Sequence, residues 1–320
     1  MSLKNNIQQY FQVVTVEQLV PQSHAYRKIA GMFDFRKLCK DLRKLYSEKG
    51  APGYEVEKGV KALVLQFMED YSDREMERAL QENNAIKWFC GFELTEATPD
   101  YSYFSKLRAR LGAENIAFLF CKINEELEQR GLVGKCFAFV DSSAIVTKTQ
   151  LWTERDRAIE AGQKRLDNAV VKDFAADPDA RFGCKGKDKY WFGYKRHVAV
   201  DARAGVVTKV AVTPANVSDA SGLKHVCPRS GMVLADKAYS GKKAQQILQA
   251  RGCHSGAILK NNMKEKNVQK DKWISHLRMP FEGVFAFFRK RARYRGRAKV
   301  QLQGFLEAIV WNIKCGIKYA

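Results

Sequence analysis

The sequence predicts a mixed α/β protein with a helical domain at its N-terminal end. Three observations predict it. Up to about residue 130, apolar residues recur at helical spacing. From Gly131-Leu132-Val133-Gly134 onward, short apolar runs of strand character take over. Two of those runs, Phe137-Ala138-Phe139-Val140 and Met232-Val233-Leu234-Ala235, each end on an aspartate, Asp141 and Asp236. The expected organisation is a helical domain over 1–130, a second domain over 131–320, and a long connection at about 146–190.

The helical part divides into several segments. Residues 25–50 read as one amphipathic helix, with Phe35, Leu38, Leu42 and Leu45 on one face and Arg36, Lys37, Lys40, Arg43 and Lys44 around it. Ala51-Pro52-Gly53 breaks it. Val56–Met68 is the next helix, and Ser72-Asp73-Arg74-Glu75 is a capping box that starts another. Thr98-Pro99 reads as a further start with Pro at the first helical position. Tyr103, Phe104, Leu107 and Leu111 form its buried face, and Arg108 points away. Helices with basic faces suit a DNA-binding bundle. They suit an ordinary bundle equally well.

The second part reads as three strands, a helix, a strand, a helix, a strand, then helices. The strands are Cys136–Asp141, Tyr194–Val200 and Val206–Thr213, the last two joined by a loop ending in Gly205. A helix over Asp219–Val226 leads into the strand that ends at Asp236. A helix over Gly241–Ala250 and a strand over Gly256–Leu259 follow. Pro280 opens a helix to about Arg293, and Leu302, Phe305, Leu306, Ile309, Val310 and Ile313 mark the last one. The connection at 146–190 is long enough to be functional. Its Lys185-Gly186-Lys187-Asp188-Lys189-Tyr190-Trp191 suits phosphates and stacked bases, and a solvated loop anchored by Trp191 equally.

Composition narrows the function. A chain of 320 residues with 46% hydrophobic content can bury a proper core. A net charge of +20 points to a polyanionic partner, nucleic acid first and an anionic membrane surface second. The eight cysteines form no C-x-x-C pair and lack zinc-site spacing, which suits reduced thiols in a cytosol. No apolar segment follows Met1-Ser2-Leu3-Lys4-Asn5-Asn6, and no run is long enough to span a membrane. The expected setting is therefore cytoplasmic, with nucleoid association when bound to DNA.

Asp141 and Asp236 end strands that can be neighbours, and a third acid is wanted. Glu282, in Arg278-Met279-Pro280-Phe281-Glu282, is the candidate. Taken alone it is better explained as a first-turn acid that suits the helix dipole and pairs with Arg278. On one helix it would share a face with Ala286, Arg289 and Arg293. From Lys260 to Lys299 there are 13 Lys or Arg and only three acids. Three carboxylates brought close take up protons unless a cation sits among them. Hard divalent cations prefer such oxygen ligands, and two of them can drive phosphodiester chemistry. No G-x-x-x-x-G-K-[ST] loop is present, and Ser142 and Ser143 have no identifiable base.

These residues resemble the DDE transposases of bacterial insertion sequences, in the broad group typified by insertion sequences four and five. The resemblance covers about residues 25 to 312. Its motifs are Phe139-Val140-Asp141-Ser142-Ser143, Gly193 to Asp201, Val212-Thr213-Pro214-Ala215-Asn216-Val217-Ser218-Asp219, Leu234-Ala235-Asp236-Lys237-Ala238-Tyr239, and Arg278 with Glu282 and the basic residues that follow. Asp177-Pro178-Asp179-Ala180-Arg181, Tyr71 to Glu75 and Thr98-Pro99-Asp100 are similar to family segments too. Ser275 stands where the family has Tyr, and Arg289, beside Lys290, where it has Lys. The short interval from Asp236 to Glu282 favours the insertion-sequence-five side.

The resemblance implies a ribonuclease-H-like mixed-sheet catalytic core. It implies an enzyme using magnesium, with manganese able to substitute, that cleaves transposon ends and joins the 3′-hydroxyl to target DNA. Asp141, Asp236 and Glu282 would be catalytic and hold the metal. Arg278, Arg289, Lys290, Lys237 and Lys195 would hold DNA. The partners would be terminal inverted repeats, target DNA and further copies of the chain. A metal nuclease without strand transfer and a non-catalytic DNA-binding relic remain alternatives.

Overall fold

The structure is a computed structural model that describes residues 14–46, 53–147, 157, 160–162, 168–185, 189–263, 266–278 and 281–319. Met1 to Asn6, residues 47–50 of the expected helix, Ala51, Pro52, Gly186, Lys187, Asp188, Met279 and Pro280, named above, lie outside the described residues, as does part of the 146–190 connection.

The N-terminal part is helical. The expected helix over 25–50 is three pieces: α2 (Ala25–Met32), α3 (Phe35–Leu38) and a 3₁₀ turn (Lys40–Leu45), preceded by α1 (Val16–Leu19). Asp34 divides them. Its carboxylate accepts from the backbone N–H groups of Arg36 (3.0 Å) and Lys37 (3.2 Å), which starts a new helix one residue after Phe33 turns extended. Phe35, Leu38 and Leu42 still point inward. α4 runs over Val56–Met68, as the periodicity predicts. The Ser72/Glu75 capping box closes in both directions (3.3 and 2.7 Å) and starts α5 (Asp73–Glu82), which leads to α6 (Asn84–Cys90). α7 (Tyr101–Gln129) begins later than Thr98-Pro99 suggests. Asp100 is the cap, accepting from the N–H groups of Ser102 and Tyr103. Arg108 does not point away. It folds in to grip the Asp73 carboxylate with both nitrogens (2.8 and 2.6 Å).

The second part is a sheet with helices. Its strands are β1 (Phe137–Val146), β2 (Arg181–Lys185), β3 (Lys189–Asp201), β4 (Val207–Pro214), β5 (Met232–Ala235) and β6 (His254–Ala257). β1 is central. β3 flanks it antiparallel on one side, and β5 flanks it parallel on the other with β6 beyond. β4 and β2 both pair with the far edge of β3. Without β2, the order β4-β3-β1-β5-β6 is that of a ribonuclease-H-like sheet. Gly193 lets β3 pass close to β1: a Cβ there would sit 2.1 Å from the Ile145 carbonyl.

β2 and the short α8 (Val171–Phe174) lie inside the connection expected at about 146–190, to which the sequence reading assigns no element. Asp177 and Asp179 anchor that segment. Asp177 accepts from the Tyr194 hydroxyl (2.7 Å) and the Gly296 N–H (3.0 Å), and Asp179 from the Arg297 N–H (3.0 Å).

The connecting helices are α9 (Asp219–Val226) and α10 (Lys242–Ala250), with a 3₁₀ turn (Lys237–Tyr239) between β5 and α10. α11 (Val268–Arg278) has no counterpart in the periodicity. Only Ile274 on it is buried, so it carries no apolar stripe. α12 (Glu282–Phe287) is far shorter than the helix expected to reach Arg293. The chain leaves it to dock on the end of β1: Val146 N–H donates to the Lys290 carbonyl (2.7 Å), and Ala292 N–H to the Val146 carbonyl (2.8 Å). The final helix α13 (Arg297–Lys318) crosses from the sheet to the helical part and packs on β4, α7 and α4. Asn312 on it pairs with both backbone groups of Val207 at 2.8 Å. Glu307 meets the fully buried Arg196 of β3 and accepts from Gln303. A buried charge tolerated this way needs its partner in place.

Candidate active site

The parallel pairing of β1 with β5 sets the site. Phe139 pairs with Leu234 and Val140 with Ala235, so Asp141 and Asp236 follow at the same level on neighbouring strands. Strands lie about 4.8 Å apart, which puts the two acids side by side. Apolar residues precede each because those positions are buried in the sheet (Val140 0%, Ala235 1% exposed), and the acids mark where the strands emerge. Asp236 also caps the following turn, accepting from the Ala238 N–H at 2.9 Å.

Asp141 is the electrostatic centre. Its Oδ1 accepts from the Ser142 N–H (2.7 Å) and its Oδ2 from Arg278 Nη2 (2.8 Å). Burial raises its pKa above the usual carboxylate value, and the charges of Asp236 and Asp219 push the same way. Ser142 and Arg278 oppose the shift without cancelling it.

Sequence reading assigns Asp219 no site role, yet it belongs here. It accepts from the Ser142 hydroxyl (2.7 Å) and pairs with Lys195 (2.9 Å). Burial works against its charge, but Lys195 and Ser142 hold its pKa below the usual value. In sequence it is one more acid opening a helix after a Ser cap, and only its place in the Val212–Asp219 motif sets it apart. Tyr239, nearly fully buried, has its hydroxyl pKa raised by burial and by the fields of Asp219, Asp141 and Asp236.

Beneath the site His197 is fully buried, paired in register with Ser142, and its Nε2 lies 2.9 Å from the Thr213 hydroxyl. Gly222 of α9 rests on the imidazole so closely that a Cβ would come within 2.0 Å of it.

Glu282 opens α12 and is exposed. It lines a cavity of about 220 Å³ together with Asp141, Ser142, Lys185 and Arg278, floored by Phe139 and Phe281, whose rings stack at 4.1 Å. It also lines a second cavity of about 560 Å³ with Lys237, Lys266 and Lys272. Among the described residues no three acids, histidines or cysteines converge on one metal position. The fold therefore brings Asp141 and Asp236 together and leaves Glu282 at the lip.

The expected cations are scattered. Arg278 holds Asp141. Lys195 is tied to Asp219 and donates to the Val217 carbonyl (2.9 Å). Lys237 and Lys290 are exposed. Arg289 does not share a helix face with Glu282, because α12 ends before it. It pairs with Asp70 of the helical part, as does Arg293.

The donor chemistry fits a divalent cation. Asp141 and Asp236 present hard carboxylate oxygens side by side, the Asp236 charge adds to the raised pKa of Asp141, and the Arg278 guanidinium already stands at Asp141 in a cation's place.

Fold and site define a class: ribonuclease-H-like α/β proteins with a carboxylate site where β5 ends beside the middle of the central strand β1. Within it, this chain belongs to the DDE transposase family, since the family model described as "Transposase DDE domain" matches residues 133–313. A second, described as "Transposase domain (DUF772)", matches residues 14–110. Two solved structures are similar at low scores. One is the cryo-EM structure of a piggyBac transposase synaptic complex with hairpin DNA, 13% identical over 75% of this chain, with a TM-score of 0.27. This chain spans 50% of that one. The other is a Mos1 transposase paired-end complex with left transposon end, 10% identical over 85% of this chain and 81% of that one, with a TM-score of 0.17. No described helix is long and apolar enough to cross a membrane.

Proposed function

We propose that the protein is an insertion-sequence transposase that cleaves transposon ends and joins the 3′-hydroxyl to target DNA. The observation that carries this reading is the register of β1 and β5, which delivers Asp141 and Asp236 to one point. Asp141 and Asp236 would hold divalent metal, magnesium first, and Glu282 would complete the set when α12 closes over the cavity it shares with Asp141. When bound, such ions activate the attacking oxygen and stabilise the leaving one.

The protein's own residues supply the rest. Ser142 fixes one oxygen of Asp141 through its N–H and ties Asp219 through its hydroxyl. Arg278 neutralises Asp141 until a metal does so, and is then free for a DNA phosphate. Lys185 and Lys237 add positive charge to the two cavities that Glu282 lines, and Arg289 and Lys290 would hold DNA farther from the acids. The partners are DNA with terminal inverted repeats, target DNA, and further copies of the chain that bridge two ends.

The test is a strand-transfer assay with labelled terminal repeats and Mg²⁺. Product joined to target supports transposition. Cleavage without joining makes the protein a nuclease, and binding without cleavage makes it a non-catalytic relic.

A further inference from the structure

Arg289 and Arg293 leave the sheet to meet an acid of the helical part. Both guanidiniums converge on a single oxygen, Oδ1 of Asp70. Asp70 sits between α4 and α5 at φ 63°, in the left-handed region that Asp and Asn tolerate. Its side chain is 59% exposed, while those of Arg289 and Arg293 are 30% and 15% exposed. Arg293 is further fixed by the Tyr71 carbonyl (3.0 Å) and the Phe67 ring (4.5 Å). These groups line an open cavity of about 900 Å³, and Lys290 and Arg291 lie exposed on its wall.

Charge in this cavity is unbalanced. One carboxylate serves two guanidiniums, and Lys290 and Arg291 have no ion pair among the described residues. The other acids nearby are committed: Asp73 to Arg108 and Gln66, Glu75 to the Ser72 cap, and Glu307 to Arg196. Burial, and after it the neighbouring Arg293, lowers the Arg289 pKa, and Glu307 and Tyr294 oppose the shift without cancelling it. A phosphodiester shares its one charge over two outward-facing oxygens, so each guanidinium can take its own, whereas both now crowd onto Oδ1 of Asp70, and guanidinium forks suit phosphate.

The cavity is also tied to the active site. The segment bearing these cations hydrogen-bonds to Val146 at the end of β1, and Asp141 lies on the same strand. Five residues of strand span roughly 17 Å. At about 3.4 Å per nucleotide of one strand, the run from Asp141 to Val146, where the cation-bearing segment docks, matches roughly five nucleotides.

We infer that this cavity is a DNA-phosphate site occupied in the free protein by the Asp70 carboxylate, so that DNA binds there by displacing Asp70 from Arg289 and Arg293. The inference rests on the transposase reading for its choice of partner, and it adds that the helical part masks the site.

The experiment measures binding of the full chain to a short DNA duplex of arbitrary sequence by fluorescence anisotropy over a salt series. Asp70→Asn keeps the left-handed backbone and removes the competing charge, so affinity should rise about three- to tenfold. Arg289→Gln should weaken binding and lower the salt slope by about one. Arg289→Lys, with its charge kept and its fold checked by thermal midpoint, should lose less. In the Arg289→Gln background, Asp70→Asn should give little or no gain. An equal gain with and without Arg289, or an equal gain from Glu93→Gln far from the cavity, would reduce the effect to net charge and overturn the inference. Binding by Arg289→Gln that matches wild type overturns the site alone. No duplex binding by any form defeats the transposase reading and the site with it.

Discussion

His197 lies directly under the acidic site, and its burial gives a pH dependence that can be worked out. Burial lowers its pKa from 6.5 to about 4; the charges of Lys195 and His225 add to the shift, and Asp219 opposes it. Between those two values the unfolded chain binds a proton that the folded protein does not. Stability is therefore full above pH 6.5 and is lost as pH falls toward 4. Each pKa unit is worth about 1.4 kcal/mol, so the loss by pH 4 is about 3 kcal/mol from this residue. No solvent discount applies, because His197 is 0% exposed. Urea unfolding of wild type and His197→Asn from pH 8 to pH 4 isolates the effect from other titrating groups. The variant starts less stable, having lost the fit against Gly222 and Thr213, and its deficit should shrink by about 3 kcal/mol by pH 4. A deficit that stays constant with pH would refute the reasoning, since it would mean that His197 is accessible to protons in the native state.

Other outcomes follow from the same packing and charge. Gly222→Ala forces a Cβ into the His197 ring and should cost at least about 1–3 kcal/mol by urea unfolding; a neutral result would contradict the packing. Mg²⁺ or Mn²⁺ should raise the thermal midpoint of wild type and fail to do so for Asp236→Asn, because a ligand that binds only the folded state stabilises it. Arg278→Gln should tighten Mn²⁺ binding in the absence of DNA, measured by calorimetry, because a competing cation leaves Asp141; unchanged or weaker binding would count against that competition. Ser72→Ala should lower stability by about 1 kcal/mol through loss of its cap on α5.

How legible the protein is from sequence depends on whether a feature is local. The apolar runs before Asp141 and Asp236 are readable because they are local signals, but only Asp236 closes its strand: β1 runs five residues past Asp141 to Val146, held there by pairing with β3 that the sequence does not show. The juxtaposition of the two acids is not readable, since it depends on β1 pairing parallel with β5. α4 and the Ser72 capping box are readable for the same local reason. Asp34 and Asp100 defeat the simpler readings because a carboxylate that caps a helix wins over continued periodicity and over Pro99. The extent of α12 is misread because Phe281, Phe285 and Phe288 keep helical spacing while the backbone after Phe287 pairs instead with Val146. α11 is invisible, having almost nothing to bury. Arg278 and Arg289 are identifiable as cations near Glu282, but their partners, Asp141 and Asp70, lie far away in sequence and come together only in the fold. Asp219 looks like an ordinary first-turn acid until Ser142 and Lys195 meet it.

Asp141 and Asp236, delivered to one point by paired parallel strands, would carry metal-dependent chemistry on DNA. The most direct measurement is cleavage of labelled DNA bearing the element's terminal repeats, in Mg²⁺, by wild type and Asp141→Asn, with binding followed on the same substrate. The variant should bind the DNA nearly as well and yield no cleaved or joined product. Cleavage by Asp141→Asn at the wild-type rate would contradict it.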